Sequence, residues 1–426
     1  MAALPEVEVL SWTGIPCYCA YPAVILGHSA IGKLNHGIGA SIPLLFAKIY
    51  GVLFPGAGSG VGMTSTLSLV ANIHLTRRNP VSLIHFVTNR CNARCSFCFI
   101  DFDNPETFRG EMSLSEIDRL TRTVGPHLQN INLTGGEPFA RKDLLDIARS
   151  WFGNTSIRSM FITSNGSLTD RMVAFTRALL KEFPGRKIAF SLSIDAFAEQ
   201  HDEIRKVKGL FGKAMASYHA LRELSPDVMV NLAITVSHEN YAIVDSLYDA
   251  LVGQYGVRAI TCTLVREEGV YRIPIEHKRE ILTAYDSLSR RIADDLRTGR
   301  LEGYDSDSLQ GRLMNKKNVI VNRVLRETYL EPRYISPCHA GSLFGIINAD
   351  GMVRPCEILD RTLGNLRDYD MDFLRLWHDR PTIEAKHWIL DSHCHCTYEC
   401  AWSFNVLGNL RYQPALLAAA VLGKDW

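Results

Sequence analysis

Residues 89–101 read NRCNARCSFCFID, a loop carrying Cys91, Cys95 and Cys98 at x3 and x2 spacing. One tight turn of backbone with that spacing presents three thiolates to three corners of a [4Fe-4S] cube and leaves the fourth iron without a protein ligand. An open iron is a place for chemistry. The run departs from the four-cysteine spacings of ferredoxins, and no fourth cysteine stands nearby to close the cluster. Inert core cysteines and a zinc site are the competing readings. Zinc prefers four closed ligands built from C-x2-C pairs, which the x3 gap fits poorly.

About 40 residues later, Asn130 to Phe139 read NINLTGGEPF. Ile131 and Leu133 alternate as in a strand, and the strand runs into two glycines, an acid and a proline. Paired glycines let backbone approach a ligand closely, and the carboxylate after them can hold an ammonium. Taken alone, the run is also an ordinary turn. Further strands are expected at Leu83 to Val87, Met160 to Ile162, Ile188 to Leu192, Val228 to Val236 and Ala259 to Val265, with helical stretches between them. The first helix carries a capping box, Ser113 with Glu116, and the third shows Met172, Phe175, Leu179 and Phe183 on one face. Six β-α units with right-handed crossovers give a parallel sheet that curls into a barrel, too few for a closed eight-stranded one.

The cysteine loop resembles the signature of the radical S-adenosylmethionine (SAM) superfamily, C-x3-C-x-aromatic-C, with Phe97 as the aromatic residue. The resemblance implies an α/β fold, a partial (β/α)6 TIM-like barrel over residues 81–270, with the cluster in the loop after strand one at the C-terminal rim. It also implies that SAM chelates the open iron and is cleaved by one electron to methionine and a 5'-deoxyadenosyl radical. Gly135, Gly136 and Glu137 match the family's GGE motif, which holds the SAM amino group. The end of strand four, Ser191, Ser193 and Asp195 taken collectively, matches the region that faces the SAM ribose. Thr163 to Gly166 is a further strand-end candidate. Arg266, at the end of strand six before Glu267 and Glu268, is placed to pair with the SAM carboxylate through a bidentate fork. Each of these residues also reads as turn capping or as a solvated charge.

Near the other end, Cys338 lies twelve residues before Gly351, four more precede Cys356, and Cys394, Cys396 and Cys400 follow in SHCHCTYEC. With LGNLRD at Leu363 to Asp368, this resembles the SPASM/Twitch extensions of radical SAM enzymes. Five cysteines match one auxiliary [4Fe-4S] cluster better than two. The terminal C-x-C-x3-C departs from the family pattern and leaves open which two of Cys394, Cys396 and Cys400 are ligands. Interleaved His387, His393 and His395 keep zinc open at this site.

The expected organisation is an apolar, glycine-rich extension (1–80), the core (81–270), a charged helical bridge (271–335), the auxiliary-cluster domain (336–405) and an apolar tail (406–426). Lys and Arg total 46 against 45 Asp and Glu, which leaves no strong field for nucleic acid. Nothing at the start reads as a cleavable secretory signal, and exposed thiolates call for a reducing compartment, so the cytoplasm is expected. The run Ile38 to Phe54 is shorter than the ~20 residues that span a bilayer and contains Pro43 and Lys48. It and Pro414 to Leu422 are candidates for peripheral membrane contact or for covering the barrel. Cys262 reads as core. Cys17 and Cys19 have no assigned role, and Met63 is an alternative start.

The expected function is a radical SAM oxidoreductase that passes an electron from a substrate radical to the auxiliary cluster, with a reductant such as flavodoxin or ferredoxin as partner. A carbohydrate or lipid-linked substrate is slightly favoured by the apolar ends. The alternatives are a peptide- or protein-modifying maturase and, from a different class, a non-catalytic zinc or iron-sulfur interaction protein.

Overall fold

Nine strands form one sheet in the order β6-β5-β4-β3-β2-β1-β7-β8-β9. The structure, a computed structural model, describes residues 68–266, 275–304 and 308–422. Cys17, Cys19, Ile38 to Phe54, Met63, Glu267 and Glu268 lie outside the described residues. Six parallel strands make the barrel wall: β1 (Ser82–Thr88), β2 (Asn130–Gly135), β3 (Ser159–Ser164), β4 (Lys187–Ser193), β5 (Val228–Val236) and β6 (Ile260–Leu264). Between them run α1 (Leu114–Thr121), α2 (Leu144–Asn154), α3 (Thr169–Glu182), the pair α4 (Ala198–Arg205) and α5 (Leu210–Arg222), and α6 (Val244–Gly253). The expected capping box starts α1, where Ser113 and Glu116 satisfy each other's backbone N–H groups. Along α3, Met172, Phe175 and Leu179 are buried as expected, and Phe183 closes the helix as its C-cap.

Side-chain alternation sets the two faces of the wall. Ile131, Leu133, Met160, Ile162, Ile188, Phe190, Leu192, Val230, Leu232 and Ile234 are buried in the core between strands and helices. The residues between them are small or polar and only partly buried: Asn132, Thr134, Thr163, Ser191, Ser193, Asn231 and Thr235. Register brings several level, with Thr163 beside Ser191 and Ser191 beside Asn231. A closed barrel fills its interior with branched apolar side chains. This one leaves a polar interior open at the rim.

All seven residues of β1 are buried, because a second layer covers its inner face. Leu83 and Val87 join the helix-side core. Ile84 and Phe86 pack instead with Cys338, Ala340, Phe344, Ile346, Cys356, Ile389, Tyr398 and Ala401. The C-terminal cysteine segment therefore continues the barrel's own sheet. Strand β7 (Phe344–Ile347) pairs parallel with β1, Ser82 against Phe344, and then turns into an antiparallel meander with β8 (Met352–Arg354) and β9 (Gly364–Asn365).

Two long helices, α7 (Ile275–Arg297) and α8 (Leu309–Tyr329), occupy the stretch read as a helical bridge. Short α9 (Phe373–Trp377) follows the meander, then α10 (Arg380–Asp391), α11 (Glu399–Gly408) and α12 (Gln413–Leu422). The apolar C-terminal stretch is not a free membrane-seeking tail. Leu416, Ala419 and Ala420 are buried, and Arg312 of α8 donates to the Ala420 carbonyl at 2.9 Å. Apolar surface already covered by protein gains nothing from lipid. No helix of the described residues is long and apolar enough to cross a membrane.

Candidate active site

The cysteine loop leaves β1 at the C-terminal end of the sheet, as a (β/α) barrel requires of its active site. Its sulfurs collect N–H donors: Ala93 N donates to Cys91 Sγ at 3.3 Å, Ile100 N to Cys98 Sγ at 3.5 Å and Arg205 Nη1 to Cys95 Sγ at 3.7 Å. Asn165 Nδ2 adds a contact to Cys91 Sγ at 3.9 Å. Burial pushes the Cys95 thiol up to about 11, with the Arg205 guanidinium pulling against it, and burial likewise raises Cys91 and Cys98. Metal loading would deprotonate these thiols and release protons. Among the described residues no three His, Cys, Asp or Glu side chains are grouped to hold a single metal ion. Three thiols on one loop, each with an N–H donor and a buried cation beside them, fit the donor set of a cluster with one open iron.

The double glycine locks this loop from below. Gly136 N donates to Thr88 O at 2.8 Å and Glu137 N to Arg90 O at 2.9 Å, stitching the end of β2 to the residues just before Cys91. Gly135 has φ +139°, and a Cβ there would stand 2.0 Å from Thr88 O. A Cβ on Gly136 would meet Arg90 O at 2.3 Å and Asn89 O at 2.7 Å. Only glycine allows backbone to approach backbone this closely. Gly136→Ala is therefore expected to displace the cysteine loop and strip iron from it while iron at the C-terminal cysteines stays. Anaerobic iron counting checks this; full iron occupancy would contradict it.

Glu137 is fully buried and holds the strand ends together. Its oxygens accept from Phe139 N at 3.1 Å, Ser164 Oγ at 2.8 Å and Asn165 N at 2.8 Å. Burial raises its pKa, and these hydrogen bonds oppose the rise. Glu137→Ala leaves two buried donors, the Ser164 hydroxyl and Asn165 N–H, without their acceptor. The expected cost is ~2–5 kcal/mol of unfolding free energy, readable in urea melts of the anaerobic protein. A loss below ~0.5 kcal/mol would show that this network does not support the rim.

The other sequence candidates divide. Ser191 and Ser193 lie on the interior face of β4, with Ser191 Oγ accepting from Asn231 Nδ2 at 3.4 Å. Asp195 is buried and already engaged: Oδ2 accepts from Arg205 Nε at 2.8 Å, and Oδ1 accepts from Thr235 N at 3.0 Å. Arg266 stands beyond β6 with Nη1 donating to Glu357 Oε2 at 2.5 Å, so its fork is already occupied by an acid of the C-terminal segment. Tyr398 completes the group by donating to Glu357 Oε1 at 2.7 Å. The Arg266 guanidinium carbon lies 5.4 Å from the Phe99 ring centroid and 5.1 Å from that of Tyr398. Cys262 packs against the core.

A cavity of about 500 Å³ opens beside this stack, lined among others by Phe86, Asn89, Phe99, Arg266, Arg354 and Glu357. Phe99 follows Cys98 directly and Glu357 follows Cys356 directly, so the cavity touches both cysteine groups. In the second group, Cys338 and Cys356 are buried while Cys394, Cys396 and Cys400 are partly exposed. Cys338, Cys356, Cys394 and Cys396 feel one another's charge. The leading charged neighbours of Cys400 are instead Glu357, Glu399 and Arg266, and burial pushes its thiol up to about 12.

Sequence reading missed Arg205, Glu357 and Tyr398. Glu357 and Tyr398 sit next to marked cysteines, and that adjacency was the available signal. Arg205 is ten residues past Asp195, on a helix whose charges look solvated in sequence.

Comparison with known proteins agrees with this geometry. A family model described as the radical SAM superfamily matches residues 86–251. The chain is 24% identical over 382 residues to Fe-coproporphyrin III synthase of Methanosarcina barkeri (strain Fusaro / DSM 804), covering 82% of this chain and 86% of that protein. It is 26% identical over 301 residues to the sporulation killing factor maturation protein SkfB of Bacillus subtilis (strain 168), covering 68% of this chain and 64% of SkfB. In structure it resembles native anSMEcpe with bound AdoMet and Kp18Cys peptide, with a TM-score of 0.51 and 18% identity over 80% of this chain and 99% of the other. That last likeness concerns the fold alone.

Proposed function

The chain belongs to the radical SAM superfamily, and on that premise we propose that it oxidises a substrate held between its two cysteine groups. Cluster and SAM together supply a 5'-deoxyadenosyl radical that removes a hydrogen atom from the substrate. Cys91, Cys95 and Cys98 would hold the catalytic cluster. Gly135 and Gly136 keep the adjoining rim open to the methionyl end of SAM, with Glu137 fixing its walls. Ser191 and Ser193 offer hydroxyls to the ribose from the interior face of β4.

The single observation that carries this reading is the cavity between Phe99 and Glu357, one residue from a cysteine of each group. A substrate there lies beside both, so a radical made on one side has an electron acceptor on the other. Cys338, Cys356, Cys394 and Cys396 are the ligand set we assign to one auxiliary [4Fe-4S] cluster, with Cys400 outside it. The volume suits a small molecule, a sugar unit or one peptide side chain. Arg266, Arg354 and Glu357 make the wall charged, which favours a polar reacting group over an acyl chain. With the C-terminal helix already covered, a lipid-linked substrate has no support from that end. A peptide substrate is the second reading, favoured by the maturation protein among the relatives and the peptide named in the solved structure.

The test is anaerobic incubation of the reconstituted chain with SAM and dithionite, followed by chromatography. Methionine and 5'-deoxyadenosine in equal amounts are expected. A colourless protein holding stoichiometric zinc and leaving SAM intact would turn the chain into a metal-clasped interaction protein.

A further inference from the structure

Arg205 is buried in the heart of the rim, and the roles assigned above leave it unused. Its Nε and Nη2 both meet Asp195 Oδ2, at 2.8 and 2.7 Å, and Nη1 reaches Cys95 Sγ at 3.7 Å. The guanidinium carbon lies 5.8 Å from the centroid of Phe97, the aromatic residue of the cysteine loop. Asp195 is itself clamped: its N–H donates to His201 Nδ1 at 3.1 Å, its carbonyl accepts from Asn240 Nδ2 at 2.8 Å, and Oδ1 accepts from Thr235 N at 3.0 Å.

The backbone of the same helix also holds the loop. α4 ends with Lys206 at φ +57°, a left-handed cap on a residue other than glycine. The last carbonyls of a helix lack partners within it. Here Arg205 O accepts from Arg94 N at 3.0 Å and Ile204 O from Ser96 N at 3.4 Å. Arg94 and Ser96 flank Cys95 on either side, so the helix end grips the loop at its middle cysteine.

We propose that Asp195, Arg205 and the last turn of α4 form one positioning unit for the catalytic cluster, in which Asp195 aims the guanidinium, Arg205 donates to the Cys95 thiolate, and the helix carbonyls fix the loop. The arrangement parallels the carboxylate partners that orient metal-bound histidines from the outer shell. A buried cation and an N–H···S bond both favour the extra negative charge of a reduced cluster, so the unit makes the cluster easier to reduce. Asp195 then acts through Arg205, in place of the ribose contact its position in the sequence suggested. The inference rests on the assignment of the cluster to Cys91, Cys95 and Cys98.

The test uses full-length reconstituted protein without SAM. Redox titration followed by electron paramagnetic resonance is run on the wild type and on Arg205→Gln and Arg205→Lys. The Cys91, Cys95 and Cys98→Ala protein supplies the auxiliary signal to subtract. Arg205→Gln is expected to lower the reduced-to-oxidised ratio at fixed poise by about tenfold, which is about 59 mV for one electron. Arg205→Lys keeps the buried charge opposite Asp195 but is too short to serve both partners, and a smaller fall, about threefold, is expected. If Arg205→Gln fails to fold, Arg205→Lys alone decides. Iron retained with an unmoved ratio would overturn the inference. Absence of any wild-type signal beyond that of the triple variant would instead overturn the cluster assignment beneath it.

Discussion

Alanine at Cys91, Cys95 and Cys98 together should reduce 5'-deoxyadenosine formation to background while about four irons per chain remain. The first expectation follows from the loop, since these thiols are the ligands assigned to the catalytic cluster and without it no electron reaches SAM. The second follows from the fold. The other cysteine group hangs on β7 and β8 and on the segment leading into α11, and none of its sulfurs belongs to the rim loop. The loop itself is braced by backbone contacts from Gly136, Glu137 and α4, so the variant should still fold. Iron and sulfide counting with chromatography of the nucleoside decides the matter. SAM cleavage at the wild-type rate would refute the assignment.

The second large effect is a separation of SAM cleavage from turnover. A substrate radical must lose an electron to become a closed-shell product, and the C-terminal cysteines are placed across the cavity to receive it. Cys338→Ala with Cys356→Ala should therefore permit 5'-deoxyadenosine formation yet bring product to background. Both side chains pack under Ile84 and Phe86, so the double variant also opens voids in that layer and loses a structural metal site. Cys394→Ser is the milder companion, because Cys394 is partly exposed, and it should separate the two products in the same way. Cys400→Ser should keep the auxiliary iron. Loss of iron from Cys400→Ser with retention in Cys394→Ser would reverse the ligand assignment. Stoichiometric zinc in place of an iron signal would remove the oxidative step.

Much of the barrel was legible because its signals are local. Alternation at Ile131 and Leu133 or at Phe190 and Leu192 marks a strand wherever the chain goes, and Ser113 with Glu116 marks a helix start within four residues. The cysteine loop was legible for the same reason, since its chemistry depends on spacing within one turn. Partnerships made by tertiary contact were not. Nothing near Arg266 in sequence announces Glu357, and nothing near Asp195 announces that a guanidinium from the following helix occupies its carboxylate. The apolar stretch at Pro414 to Leu422 carries no mark distinguishing a lipid partner from α8, because burial against either satisfies the same side chains.

The pairing of β1 with β7 joins residues about 260 positions apart, so the barrel wall cannot be finished until most of the chain has left the ribosome. Until then β1 is an open edge carrying Ile84 and Phe86 on an uncovered face, the kind of edge that recruits foreign strands. A fragment ending before Phe344 would keep every catalytic cysteine and still be prone to aggregate. Synthesis thus imposes an order on assembly: the catalytic loop emerges early, and the apolar layer that shields its strand comes only with the second set of cysteines, so one late event both seals the sheet and completes the electron acceptor.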